Sequence, residues 1–167
     1  SYTKLRYTLL SVPPDDIATV VGSWQINGPI AIAKGTLDAR SSTLSLTGDL
    51  TVADGATFTP SNSTLSFNGS APQTFVGSGS GISFHNLTID NVAGVTNTVG
   101  DFQAMVEGTL KLSRGTCTIV GLWIGDGATI VRDGGILSGV PAFGTTVNVT
   151  YVGGGVCATG AELPVSP

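Results

Sequence analysis

The feature that most constrains this chain is a short beat. From residue 36 onward it runs in segments of about six to eight residues, each closed by a turn residue. Examples are Ser42-Thr-Leu-Ser-Leu-Thr-Gly48, Asp49-Leu-Thr-Val-Ala-Asp-Gly55 and Ser63-Thr-Leu-Ser-Phe-Asn-Gly69. Within them apolar residues alternate: Leu44/Leu46, Leu50/Val52, Leu65/Phe67. That is the period of a half-buried strand. Asp54-Gly55, Asn68-Gly69, Asp126-Gly127 and Asp133-Gly134 are read as sharp turns, because Gly after Asn or Asp accepts positive φ.

Composition agrees with short strands and disfavours helices. Gly makes up 24 of 167 residues, with 22 Thr and 16 Ser, against only 3 Lys, 4 Arg and 2 Glu. Charged residues are 11%, the opposite of a disordered chain. The net charge of -4 and the seven scattered basic residues argue against a nucleic-acid partner. No apolar run approaches the length of a membrane span. The single histidine, His85, cannot build a multi-histidine metal site, and no cofactor is expected.

A longer repeat lies above the beat. The segment from Gly35 to Leu46 aligns with Gly108 to Ile119 at an offset of 73, and Leu50 to Phe58 aligns with Leu122 to Ile130 at 72. Three strands and their turns would make a coil of about 24 residues, so this offset predicts three stacked coils of a parallel β-helix, a β-solenoid. It places Leu37 and Leu110 at equivalent positions. A β-sandwich is the competing all-β architecture, but its strands recur every ~8–12 residues and it gives no reason for the offset.

The stretch from Ser61 to Asn91 reads Ser-Asn-Ser-Thr-Leu-Ser-Phe-Asn-Gly, then Pro-Gln-Thr-Phe, then Ser-Phe-His-Asn-Leu-Thr-Ile-Asp-Asn. It resembles a recurring unit of secreted microbial β-solenoid proteins, and Gly108-Thr-Leu-Lys-Leu-Ser-Arg-Gly115 is similar to the coil that follows that unit. The resemblance covers about residues 35–140. It implies a β-solenoid exposed at a cell surface or outside the cell. Such units occur in adhesins, filaments and stalks, so no particular activity is implied.

The ends depart from the unit, and three regions are expected: an N-terminal extension strand over 1–14, a solenoid body over 15–152 and a tail over 153–167. The chain opens without an initiator Met, which suggests a removed leader. Leu5, Tyr7 and Leu9 fall on one face of a strand that Pro13-Pro14 separates from the body. They are the expected contacts of a strand that pairs with a neighbouring copy; the competing arrangement caps the chain's own first coil. Cys117 and Cys157 are expected to form a disulfide, closing a loop of about 40 residues and contributing ~3–4 kcal/mol. Two buried thiols are the alternative.

Little points to catalysis. Asp54, Asp126 and Asp133 precede Gly, where turn formation explains them, and no Asp-rich calcium repeat occurs. His85 is read as a turn or surface residue, and Trp24 and Trp123 as core. A strict Thr-x-Thr column, the mark of an ice-binding face, is not found. Asn62, Asn68, Asn86 and Asn148 occupy N-x-Ser/Thr sequons and are candidate glycosylation acceptors. The expected function is structural, not enzymatic: a subunit of an extracellular filament or surface appendage that adds to copies of itself by strand pairing. The alternative is a surface adhesin or carbohydrate-binding module that contacts surface glycans.

Overall fold

A computed structural model describes residues 3–5, 8–10, 16–77, 79, 81–97, 103–153 and 158–163. It is an all-β parallel solenoid of about six turns. The strands stack in three columns. The first face holds β1 (Thr3–Leu5), β4 (Ser23–Ile26), β7 (Thr43–Leu46) and β10 (Thr64–Phe67). It continues through the second halves of β12 (Ile82–Asp90) and β14 (Ala104–Arg114), then β17 (Thr129–Arg132) and β20 (Asn148–Tyr151).

The second face holds β2 (Thr8–Leu10), β5 (Ile30–Ile32), β8 (Leu50–Val52), β11 (Gln73–Val76), β13 (Val95–Asn97), β15 (Thr116–Thr118) and β18 (Ile136–Leu137). The third holds β3 (Ile17–Thr19), β6 (Gly35–Asp38) and β9 (Ala56–Thr59). Further along the axis, that face is made by the first halves of β12 and β14, with β16 (Leu122–Ile124) and β19 (Ala142–Phe143). β12 and β14 cross from the third face to the first without a break, and the register shift at Phe84/Asn86 makes the corner.

Alternation explains the core. On the first face Leu44, Leu65, Leu87, Leu110 and Ile130 stack in register and are all buried. A second inward stack runs Ile26, Leu46, Phe67, Ile89, Leu112. Each such side chain contributes ~1.5–3 kcal/mol when removed from water. In the middle coils Phe67, Phe75 and Phe84 follow one another with ring centroids 5.9 and 5.5 Å apart. Aromatic pairs at this spacing add to the area term.

The coil register differs from the sequence expectation. Partners recur every 18–25 residues, mostly 19–23, so no fixed coil of 24 holds. Leu37 lies on the third face in β6, whereas Leu110 lies on the first face in β14, so the two are not equivalent. Likewise Leu50 sits on the second face and Leu122 on the third. The 72–73 offset spans ten strand–turn steps, or three coils and one face. Strands on all three faces share the same alternation and turn residues, so the sequence repeats by the strand and not by the coil.

Turn chemistry follows expectation at Gly55, Gly127 and Gly134, whose φ values are +78°, +73° and +97°. Gly69 does not adopt positive φ. A Cβ there would come within 2.6 Å of the Thr47 carbonyl oxygen, so close approach between coils explains that glycine.

Candidate functional site

The N-terminal segment lies on the chain's own body. β1 pairs in parallel with β4, and β2 with β5, so Leu5 and Leu9 sit on the strands of a first coil. Tyr7 lies outside the described residues, as do residues 11–15. β1, β2 and β3 are the last strands of their columns, and among the described residues no strand pairs with their outer edges.

The opposite end is built differently. The inward stack that runs through Leu112 places Arg132 at its next position. Arg132 and Glu162 are both buried, and Arg132 Nη1 lies 2.8 Å from Glu162 Oε1. The same carboxylate oxygen accepts hydrogen bonds from the Gly160 N–H at 2.9 Å and the Tyr151 hydroxyl at 3.0 Å. Burial pushes the Glu162 carboxyl up, but the backbone, Tyr151 and Arg132 donors outweigh it and hold it below its ordinary range. Among the described residues Arg132 Nε and Glu162 Oε2 are buried without a hydrogen-bond partner. This pair leaves no signal in the sequence, because Glu162 lies in a Pro-rich tail with no periodicity to link it to a strand.

Large exposed apolar side chains concentrate at the ends. Of ten among the described residues, Ile17 and Val21 lie near the first coil, while Ile136, Val140, Tyr151, Val152 and Leu163 lie at the last.

A groove opens on the third face, where no ladder joins β9 to β12. It encloses about 340 Å³ over Phe58 and Ile82, with Thr57, Thr59, Ser83 and Glu107 along its sides. A second hollow of about 380 Å³ shares Ile82 and Ser83 and adds Gln103, Met105 and Trp123. Trp123 points outward and is 39% exposed, which corrects its reading as core; Trp24 is half-buried and donates to the Val21 carbonyl. The groove has one carboxylate, Glu107, among its described lining residues, and glycoside hydrolysis uses two.

The remaining sequence-predicted residues are dispersed. Cys117 is fully buried in β15, beside Val95 and Leu137, and burial pushes its thiol up to about 12. Cys157 lies outside the described residues, and no disulfide is seen among those described. Asn62 is exposed in a turn and Asn148 is exposed on β20, where its amide donates to the Gly127 carbonyl. Asn86 is half-buried and accepts the Thr109 N–H at 3.0 Å. Asn68 is half-buried, with its side-chain oxygen unpartnered among the described residues. Asp126 joins two coils by accepting the Thr146 N–H and hydroxyl, and these hold its carboxyl below the usual range. His85 is half-buried at the β12 corner, packed where Gly108 leaves room for it.

The polar groups inside the body carry no periodic signal in the sequence. Gln73 accepts from the Gly69 N–H and the Asn91 amide and donates to the Leu46 and Gly48 carbonyls. Asn97 makes a paired contact with the Val120 backbone. These side chains satisfy backbone groups at corners where the strand ladder stops. No described helix is long and apolar enough to cross a membrane. The chain matches no family model, no curated protein and no solved structure in the comparisons made.

Proposed function

We propose that the chain is a structural subunit that adds to copies of itself, end to end, to build an extracellular filament or surface appendage. The observation that carries this reading is the concentration of exposed apolar side chains at the two ends, where strand columns also stop at open edges. Open edges recruit further strands. Contacts that translate along an axis without closing give filaments. The extracellular setting rests on the resemblance of the 61–91 unit to secreted solenoid proteins. Negative-stain microscopy and sedimentation velocity of the purified chain test the reading. Filaments or end-to-end oligomers that grow with concentration are expected; a single monomeric species at every concentration overturns it.

A second reading is favoured by the third-face groove. Trp123 offers an exposed ring beside hydroxyl, amide and carboxylate side chains, the combination that stacks on and hydrogen-bonds a surface glycan. Glycan-dependent quenching of Trp fluorescence that disappears in Trp123→Ala would support this reading, and no response to any glycan tested would remove it.

A further inference from the structure

We propose that the two hollows of the third face form one cleft for an oligosaccharide that carries protonated amino groups. This deepens the glycan reading and rests on it. The hollows meet at Ile82 and Ser83, which line both. Ser83, Met105 and Trp123 are register partners in successive coils, each on the outward side of its strand. Ser83 and Trp123 are therefore two rungs apart, about 10 Å at the usual strand spacing. That is longer than one sugar ring, so the occupant is an oligomer lying along the solenoid axis.

The groove offers backbone groups as well as side chains. The Ala39 N–H donates to the Thr59 carbonyl and the Ile82 N–H to the Gln103 carbonyl, both directed away from the groove. Alternation then turns the N–H and C=O of Phe58 and Ser83 toward it, where no ladder takes them up among the described residues. Open donors and acceptors side by side suit sugar hydroxyls, and the exposed indole of Trp123 suits the C–H face of a ring.

Charge selects among sugars. Glu107 lies two residues beyond Met105 on the same side of β14, whose neighbouring strand carries Trp123. Its side chain is exposed, and among the described residues no ion pair takes up its carboxylate. Neither hollow has a Lys, Arg or His among its described lining residues, and the net charge of the chain is -4. An ammonium group beside Glu107 gains a charge-assisted hydrogen bond, and one over the Trp123 ring is attracted to its face. A carboxylated or sulfated glycan meets repulsion with no cation to offset it.

The test titrates the full chain at about pH 6, where an amine is protonated. The probes are glucosamine oligomers, the same oligomers fully N-acetylated, and oligogalacturonate, followed by Trp fluorescence and calorimetry. The amino-bearing oligomer is expected to bind about fivefold more tightly than its acetylated form, and the acidic oligomer not at all. Glu107→Gln is expected to erase the fivefold difference while both oligomers still bind. Asp16→Asn makes the same change in net charge at an exposed position outside the cleft and is expected to leave the difference intact. Trp123→Ala is expected to weaken both oligomers at least tenfold, with circular dichroism as the check on folding; if it fails to fold, Glu107→Gln decides alone. Equal or weaker binding of the amino-bearing oligomer overturns the assignment and leaves the glycan reading standing. So does a preference that survives Glu107→Gln, or one that Asp16→Asn removes as well. If no oligomer binds, the glycan reading falls and the assignment falls with it.

Discussion

The middle coils and the last coil close the same interior by different means. In the middle, Phe67, Phe75 and Phe84 fill the section, and the four hydrogen bonds of Gln73 finish the corner where the ladder stops. At the end, one cation and one carboxylate meet with part of their capacity unused. Apolar stacking can be repeated indefinitely, because each coil presents the next with the surface it needs. A charge placed in the stack stops the repetition and requires a separate segment to cover it. The middle is thus built to hold and the end to part, and local opening free energies should fall from one to the other.

The largest effect expected concerns Cys117. Its thiol is raised from 9.0 to about 12, so at pH 8 its thiolate is suppressed about a thousandfold relative to an unperturbed thiol. Thiol reagents should label it only when the body opens, while a chain in denaturant labels at once. Rapid labelling of the folded protein would show that the interior one strand beneath the end of the second face opens as readily as the end itself.

Phe75→Ala should destabilise the body by about 3–5 kcal/mol in urea unfolding, because it empties the space between two other rings. Gln73→Leu should cost roughly 1–3 kcal/mol, since it leaves the buried Gly69 N–H without its acceptor and takes a partner from the Asn91 amide and the Gly48 carbonyl. Glu162→Ala should change global unfolding by less than about 1 kcal/mol, because the end segment detaches before Arg132 is stranded in the interior. Its effect should appear instead as faster hydrogen exchange at the Leu163 N–H, which bonds to the Gly160 carbonyl. A global loss as large as that of Phe75→Ala would erase the distinction between middle and end.

Acid should act like that substitution. The Glu162 carboxyl faces Arg132 and Tyr151 and is lowered in the folded chain from an ordinary value of 4.5. Its contribution is therefore fully present above 4.5 and is lost as pH falls below that value through the lower folded pKa. Exchange at the Leu163 N–H should rise in that window before the body unfolds. The smallest effect expected is Lys111→Ala. It breaks a half-exposed pair with Asp133, 3.1 Å apart, and should change stability by no more than about 1 kcal/mol.

What was legible in the sequence was whatever depends on neighbours along the chain. Leu44/Leu46 and Leu65/Phe67 announced strands with one inward side, and both pairs are buried as read. Asp54-Gly55 announced a turn, and Gly55 has the required φ. The vertical partner of a strand was not legible, because Leu37 and Leu110 sit in near-identical local sequences on different faces. Arg132 does fall at an inward position of an alternating strand, a visible conflict between charge and place. Its resolution was hidden, since Glu162 is thirty residues away and no local pattern joins them. Trp123 is the opposite case: its neighbours Leu122 and Ile124 are inward, so alternation along the chain already sends the indole outward.

The missing ladder between β9 and β12 bears on how this body carries tension. Backbone hydrogen bonds in a solenoid lie along its axis, so a pull on the two ends is shared among the faces at every step. At most steps three faces share it. Between the coil of β9 and the coil of β12, β10–β12 and β11–β13 are the only ladders among the described residues that span the gap. Under axial load the molecule should tear first at that level, leaving two shorter stacks whose own rungs are still intact.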